Sequence, residues 1–231
     1  MGSAEWIAFI DADVWPSPDL LDRLFDPVPA QETGSIGGGV KDEPVPRGGP
    51  PAARYAHQRA AMSQEHSFRL GERWGYPKTA NAACRRLAFE AAGGFREDIR
   101  AAEDADLAYR LRAAGWKLER REGAVVVHHS RQTVRAYALQ RAVHGAGGAW
   151  LEREYPGAFP AHQRRGLVRW GARAALGGLV RAARTRDRNA ALWAIMWPLE
   201  WLSFEFGRSL PNERPLRPRA RTPQGLPADA A

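Results

Sequence analysis

The 231-residue sequence predicts an α/β layer followed by a helical appendage. Three observations predict this class. Apolar runs of strand length alternate with segments of helical periodicity, acidic residues directly follow predicted strands, and the pattern becomes wholly helical towards the C-terminus. We expect the α/β layer in residues 1–155, the helical appendage in residues 156–210 and a disordered tail rich in Pro and Arg in residues 211–231.

Apolar runs bounded by turn-forming residues predict the strands of this layer. The predicted strands are Trp6 to Ile10, Ser35 to Val40, Thr79 to Cys84 and Ala124 to Val127. The first is expected to be a buried parallel strand, because its side chains are apolar and its C-terminal end meets an acidic residue, Asp11. The stretch from Glu43 to Pro51, rich in Pro and Gly, is a predicted loop.

Helix-capping residues and helical periodicity predict the helices. The first helix is expected to begin with Ser17 as N-cap and Pro18 at the first helical position. The other predicted helices are Ala52 to Leu70, Arg86 to Ala92 closed by Gly93-Gly94, Asp104 to Ala114 stopped at Gly115, Gln132 to about Glu154, 164–185 and 190–206.

Composition excludes some classes of protein. The single cysteine, Cys84, excludes an internal disulfide framework, and the first residues show no signal-peptide pattern, so we expect a cytoplasmic protein. Residues 1–160 carry 21 Lys+Arg against 21 Asp+Glu, whereas residues 161–231 carry 13 Arg against 5 acids, which accounts for the net charge of +8. The neutral main domain argues against a specific nucleic-acid partner, and the basic C-terminal part predicts an anionic partner such as lipid or phosphate.

Two acidic motifs follow predicted strands or open predicted helices. Asp11 and Asp13 lie directly after the first strand, where both carboxylates could reach one hard cation held by a diphosphate; alternatively, they only cap a turn. Asp104 could take a proton from a hydroxyl group, or it could be a plain helix N-cap.

Other polar and aromatic residues have open roles. His128 and His129 follow the last strand, where either could be a metal ligand or an ordinary surface residue. Asn81 could hold a sugar hydroxyl or sit at the edge of a strand ladder. Trp116 and Trp74 could stack on a sugar or pack in the core.

Four segments in order resemble the family 2 glycosyltransferases of the GT-A fold. They are Phe9-Ile10-Asp11-Ala12-Asp13-Val14-Trp15-Pro16, Thr79-Ala80-Asn81-Ala82-Ala83, Gly93-Gly94-Phe95-Arg96-Glu97, and Glu103-Asp104-Ala105-Asp106-Leu107 with Arg110-Leu111. The resemblance covers about residues 4–150. It implies a partial GT-A fold, a mixed sheet of the nucleotide-diphospho-sugar transferase type flanked by helices, with residues 1–155 forming the metal, catalytic and acceptor half.

The resemblance also implies an activity and its residues. It implies a metal-dependent, inverting transfer from a nucleotide-sugar donor to a hydroxyl of a glycan or lipid-linked acceptor. Asp11 and Asp13 would hold Mn²⁺ or Mg²⁺ and the donor, and His128 would supply a further metal contact. Asp104 would be the catalytic base. We expect Asn81, Glu103 and Trp116 to bind the acceptor.

One departure from the family pattern is expected to matter. In the family a nucleotide-binding half precedes the Asp-x-Asp strand, whereas this sequence starts one strand before that motif. A miscalled start, a split gene or a degenerate, inactive fragment would each explain this. Two alternative functions are weighed against the glycosyltransferase. One is a glycosidase that uses Asp13 and Asp104, but it leaves Asn81 and the Gly93-Gly94-Phe95 segment unexplained. The other is a non-enzymatic protein that binds a membrane or nucleic acid.

The C-terminal residues predict contact with a membrane. Arg165, Arg169 and Arg173 form a stripe on one predicted helix, and Trp193, Trp197 and Trp201 recur at helical spacing on the next. The second helix is too short and too interrupted to cross a bilayer, so we expect residues 164–206 to lie on the inner face of the cell membrane. The alternative is that these aromatic residues pack back onto the domain as an extra helical layer.

Overall fold

The computed structural model describes residues 3–161 and 166–214, and within these ranges five strands form one mixed sheet. The strands are Trp6–Ile10 (β1), Val14–Pro16 (β2), Thr33–Asp42 (β3), Asn81–Arg85 (β4) and Lys117–His128 (β5). Their order across the sheet is β1-β4-β3-β5-β2. The predicted α/β class is therefore confirmed.

Helices cover the sheet and continue beyond it. They are Leu20–Phe25 (α1), Pro51–Arg59 (α2), Gln64–Phe68 (α3), Gly71–Trp74 (α4), Arg86–Ala91 (α5), Glu103–Ala113 (α6), Val134–Glu154 (α7), Leu167–Thr185 (α8) and Arg188–Gly207 (α9). Leu24 of α1, Ile36 of β3 and Val126 of β5 belong to one buried cluster. Leu107 and Leu111 of α6 pack with Cys84 of β4 in another.

Strand directions bring several chain segments to one edge of the sheet. β4 runs antiparallel to both β1 and β3, β3 and β5 run parallel, and β2 runs antiparallel to β5. The last residues of β1, β3 and β5 (Ile10, Asp42 and His128) therefore lie at the same edge as the first residues of β2 and β4. We call this edge the site edge.

Several predicted elements are corrected by the structure. β1 is not a buried parallel strand: it is the outermost strand of the described sheet, pairs antiparallel with β4 and is half-exposed. Ser17 is not the N-cap and Pro18 is not the first helical residue: α1 begins at Leu20, and Asp19 holds the N-cap position. The last strand begins at Lys117 rather than Ala124, because its charged first half also pairs with β3.

The single helix predicted from Ala52 to Leu70 is broken into shorter helices. Ala60 adopts a left-handed conformation with φ of 48°, which ends α2. Ser63 then caps α3, accepting a hydrogen bond from the amide of Glu65. Periodicity alone did not reveal this break, since no glycine or proline marks it.

The C-terminal helices form an extra layer on the domain. α9 packs against α7, α8 and α2. The indole of Trp193 donates to Oε1 of Gln58 at 2.8 Å and its ring lies 5.0 Å from that of Tyr55. Trp197 pairs with Trp170 of α8 at 5.1 Å. We call the side of α9 that carries Trp193, Trp197 and Trp201 the tryptophan face. Two of these three residues pack onto other helices of the domain, as the alternative to membrane contact predicted.

The end of the described chain also packs on the domain. Asn212 is 1% exposed. Its side-chain oxygen accepts a hydrogen bond from the amide of Ala101, and its side-chain NH₂ group donates one to the carbonyl of Ala101. The prediction of a disordered tail beginning at residue 211 is thus wrong for residues 211–214, while residues 215–231 and Arg165 lie outside the described residues. None of the helices in the described ranges is both long and apolar enough to cross a membrane.

Candidate active site

The Asp-x-Asp motif lies between β1 and β2 at the site edge. The carbonyl of Asp13 accepts from the amide of His129 at 2.9 Å, and Val14 pairs with His128 across the two strands. This pairing places the Asp13 carboxylate beside the His128 ring, with 3.7 Å between Oδ1 and Nε2. Residues that are far apart in the sequence are therefore brought together at the site edge.

Both carboxylates of this motif lie among mixed charges. Burial raises the pKa of Asp11, and the negative charge of Asp13 raises it further, while His128 and Arg131 act in the opposite direction. Arg131 places Nη1 3.7 Å from Oδ2 of Asp13. Two carboxylates that disfavour each other's charge would both be stabilised by a cation between them.

Asp42 is a site residue that sequence reasoning missed. It ends β3, and its Oδ1 lies 3.5 Å from Nδ1 of His128. The hydroxyl of Ser130 and the amide of Met62 donate to its two oxygens at 2.8 and 3.0 Å. Burial disfavours its charge, but these hydrogen bonds and His128 outweigh burial and hold the pKa of Asp42 below its usual value. The available signal was an acidic residue two positions after the end of the predicted strand Ser35 to Val40.

Asp104 occupies the first turn of α6, after Ala102 in a left-handed conformation with φ of 75°. Ala102, rather than Asp104, holds the N-cap position, so the plain N-cap alternative is wrong. The Asp104 carboxylate accepts from the amide of Ala105 at 2.8 Å. Burial, and then the charge of Glu103, raise the pKa of Asp104 to about 7. Such a carboxyl can exchange a proton near neutral pH.

An open cleft of about 420 Å³ joins the two acidic motifs. Asp11 lines it from the end of β1 and Glu103 from the start of α6, with Arg96 and Arg214 also on its wall. Asp104 lines a small adjoining cavity that shares Phe9, Thr79 and Phe95 with the cleft. Of the predicted metal-binding and base residues, Asp11 therefore lines the cleft itself and Asp104 lines the cavity beside it.

Comparisons with known proteins show what the chain is similar to. No protein-family model matches the chain. The chain is 30% identical over 161 residues to the pre-mycofactocin glycosyltransferases of Mycobacterium tuberculosis strains CDC 1551 / Oshkosh and ATCC 25618 / H37Rv, which covers 67% of this chain and 33% of each relative. A mannosyltransferase from Pyrobaculum calidifontis, solved in complex with GDP-Man and Mn²⁺, matches 88% of this chain and 61% of its own with a TM-score of 0.50 and 18% identity. The chain contains a glycosyltransferase-like domain with the GT-A fold.

The glycosyltransferase-like domain spans about a third of the length of the curated relatives that it matches. The structural neighbour, at 18% identity, shows the fold of the domain. The predicted resemblance to glycosyltransferases and the GT-A fold class are confirmed.

Two predicted acceptor-binding residues have structural roles in the glycosyltransferase-like domain. Asn81 is 1% exposed, and its amide group donates to the carbonyls of Gly39 and Ala124 at 2.9 and 2.8 Å, which leaves no N–H for an acceptor. Trp116 precedes β5 and so lies at the edge of the sheet opposite the site edge, packed with the Cys84 and Leu111 cluster. Of the predicted acceptor residues, Glu103 lines the cleft.

The donor atoms at the site edge fit a divalent cation only in part. Asp11, Asp13 and His128 supply carboxylate oxygens and an imidazole nitrogen, which Mn²⁺ and Mg²⁺ accept. Among the described residues, however, no group of three or more acidic, histidine or cysteine side chains converges to hold a metal ion. A metal held by one or two protein ligands and completed by substrate phosphates is the usual arrangement for Mg²⁺. His129, the other candidate, instead contacts Glu43 at 2.7 Å.

Proposed function

We propose that this chain supplies the catalytic part of an enzyme that transfers a sugar from a nucleotide-sugar donor to an acceptor hydroxyl. The observation that carries the proposal is the cleft, which has Asp11 of the Asp-x-Asp motif on one wall and Glu103, beside Asp104, on the other. Similarity to glycosyltransferases favours transfer over the glycosidase alternative, which used Asp13 and Asp104 as a hydrolytic pair.

The Asp-x-Asp side of the cleft is proposed to hold the donor. Asp13 and His128, with 3.7 Å between Oδ1 and Nε2, would hold Mn²⁺ or Mg²⁺ together with the donor phosphates, and the ion would neutralise the charge of the departing diphosphate. Asp11, on the cleft wall, is not part of a three-ligand cluster in the described residues and is proposed to contact the donor. Arg131, half-exposed and next to Asp13, is placed to contact a phosphate oxygen. The neighbour solved with GDP-Man and Mn²⁺ supports a nucleotide-sugar donor and a divalent cation for this fold.

The Asp104 side of the cleft is proposed to activate the acceptor. Asp104 takes the proton of the acceptor hydroxyl while the acceptor oxygen forms a bond to the anomeric carbon, and the bond between that carbon and the diphosphate oxygen breaks. This single displacement inverts the configuration at the anomeric carbon and needs no covalent sugar intermediate. Glu103, on the cleft wall, is proposed to hold another acceptor hydroxyl.

The enzyme is further proposed to act at the inner face of the cell membrane on a glycan or lipid-linked acceptor. Its positive charge is concentrated after residue 160, while the rest of the sequence is neutral. Basic residues next to exposed apolar side chains favour the surface of an anionic membrane.

Mn²⁺ binding and sugar transfer test the proposal in a protein that includes residues 1–231. Electron paramagnetic resonance would count bound Mn²⁺ with and without GDP-mannose or UDP-glucose, and product formation would be followed with excess EDTA. We expect Asp13→Ala to abolish transfer and Mn²⁺ binding with an unchanged circular dichroism spectrum. The conservative control Asp22→Asn, on the exposed side of α1, should leave both unchanged. Full transfer activity in EDTA would contradict the metal assignment.

A further inference from the structure

The outer face of α8 is an exposed apolar stripe that no described element covers. It consists of Val168, Ala172, Leu176, Leu179, Val180 and Ala183, which share one side of the helix. Val168 is 74% and Leu176 67% exposed. Isolated exposed apolar residues are ordinary, but a continuous stripe along about four turns of one helix marks a contact surface.

The other side of α8 packs against α9, which leaves the stripe facing away from the domain. α8 packs on α9 through small residues, and a Cβ atom added at Gly178 would lie 2.6 Å from Cβ of Ala194. A Cβ atom at Gly171 would lie 3.2 Å from Cδ1 of Leu202. The glycines that weaken α8 as an isolated helix thus allow it to approach α9 closely. This approach fixes which face is turned away from the protein.

Positive charge adjoins the stripe. Residues 167–185 contain no acidic residue, and four exposed arginines lie on the side of the helix that continues from the stripe: Arg169, Arg173, Arg181 and Arg184. Arg186 and Arg188, also exposed, extend the charge into the connection to α9. An apolar stripe with arginines beside it and no acids is complementary to an anionic bilayer, whose headgroups meet the guanidinium groups and whose acyl boundary receives the apolar side chains.

We infer that the outer face of α8 is the surface by which the domain lies on an anionic membrane. This inference deepens the membrane location proposed above and rests on it. It also moves the contact from the tryptophan face of α9, which the sequence suggested, to α8, because Trp193 and Trp197 are engaged with Gln58, Tyr55 and Trp170.

Flotation with vesicles of phosphatidylcholine alone, or mixed with phosphatidylglycerol, tests this surface in the whole chain. We expect binding to the anionic vesicles only, and a loss of about tenfold or more in the double variant Val168→Glu/Leu176→Glu. The matched control is Leu87→Glu on α5, whose side chain is also 67% exposed but lies elsewhere. Arg169→Gln/Arg181→Gln should weaken binding and reduce its dependence on phosphatidylglycerol.

A labelled side chain reports insertion directly. Cys84 is buried, so an environment-sensitive dye attached to Leu176→Cys should label one position and shift to the blue on anionic vesicles, whereas the same dye at Leu87→Cys should not. Equal binding to neutral vesicles, equal loss in Leu87→Glu, or no binding at low salt would each overturn the inference. So would a dimer in solution that the double variant dissociates, because the face would then join two copies of the chain.

Vesicle binding is measured without donor, acceptor or metal, so it is independent of sugar transfer. The double variant should keep full transfer to a soluble acceptor. If transfer is absent in the unaltered protein while vesicle binding behaves as expected, the proposed function fails and the membrane surface stands.

Discussion

At the scale of single residues, the Asp104 carboxyl has surroundings that disfavour its charged form. Burial and Glu103 raise its pKa to about 7, yet a general base must be deprotonated. We therefore expect kcat/KM to fall as the pH decreases through about 7 and to level off above it. Asp104→Asn should abolish transfer at every pH while Mn²⁺ binding persists. A rate that stays constant from about pH 6 to about pH 8 in the unaltered protein would contradict this assignment.

The same carboxyl should affect stability with a defined sign. In the unfolded chain Asp104 ionises near 3.8, whereas in the folded protein it keeps its proton up to about 7, so the unfolded state loses a proton first and stability falls as the pH rises between these values. Asp104→Asn removes this penalty. Its free energy of unfolding should exceed that of the unaltered protein at pH 8 and match it near pH 4. Urea denaturation at both pH values measures this, and a destabilised variant at pH 8 would indicate a purely structural role.

Asp42 is expected to act through His128. The Asp42 carboxylate lies 3.5 Å from Nδ1 of His128, which has no hydrogen-bond partner among the described residues, and its negative charge favours the tautomer with the proton on Nδ1. Nε2, 3.7 Å from Asp13, is then free to bind a metal ion. Asp42→Asn should weaken Mn²⁺ binding about 10- to 100-fold. Nitrogen chemical shifts of His128 without metal should show the change of tautomer. Ser130→Ala, which removes a hydrogen bond to Asp42 but keeps its charge, is the control and should lose less affinity. An unchanged tautomer in Asp42→Asn would contradict the positioning role.

At the scale of elements, the attachment of α9 depends on a buried carboxylate. Glu200 is 3% exposed, accepts from Tyr55 at 2.8 Å and Arg59 at 2.7 Å, and lies 3.3 Å from Arg141. It therefore joins α9 to α2 and α7. Glu200→Gln would leave two arginines without their common partner and should lower the free energy of unfolding by about 3 kcal/mol. Glu65→Gln, which breaks the exposed pair with Arg69, should cost less than about 1 kcal/mol. Equal effects in urea denaturation would contradict the role of burial.

This attachment affects how the membrane surface can be tested. Removing residues 164–231 would expose the side chains of α2 and α7 that α9 covers, including Tyr55 and Tyr137. Such a truncated protein is expected to aggregate, so loss of vesicle binding would have two explanations. Substitutions on the outer face of α8 avoid this problem because those side chains already face solvent.

The elements also show what sequence could and could not predict. Apolar runs located parts of β1, β3, β4 and β5, because the apolar residues of a strand are neighbours in the sequence. Strand pairing is not local, so the antiparallel β4 between β1 and β3 was not foreseen. The same limit applies to the site. Asp11 and Asp104 lie in recognisable acidic motifs. The structural roles of Asn81 and Trp116 could be assigned only once their positions in the sheet were known.

At the scale of the whole molecule, positive charge is concentrated in one region of the chain. Residues 1–160 are neutral overall, and their acidic side chains are used at the cleft and in ion pairs. The net charge of +8 arises after residue 160, where α8 has no acidic residue. Long-range attraction is therefore directed to the helical layer, while the cleft can bind its own ligands independently of it.

This separation predicts how salt should affect activity. Screening shortens the reach of exposed charges from about 10 Å at 0.1 M salt to about 3 Å at 1 M, but it acts much less on partly buried groups such as Asp104. For a lipid-linked acceptor in anionic vesicles, kcat/KM should fall severalfold or more over this range, because salt screens the attraction between the arginines of α8 and the anionic headgroups. For a short soluble acceptor it should change little. The Arg169→Gln/Arg181→Gln variant, measured with both acceptors, should show low activity on vesicles already at 0.1 M salt and little further salt dependence. A parallel decline with both acceptors would place the salt-sensitive step in the cleft instead.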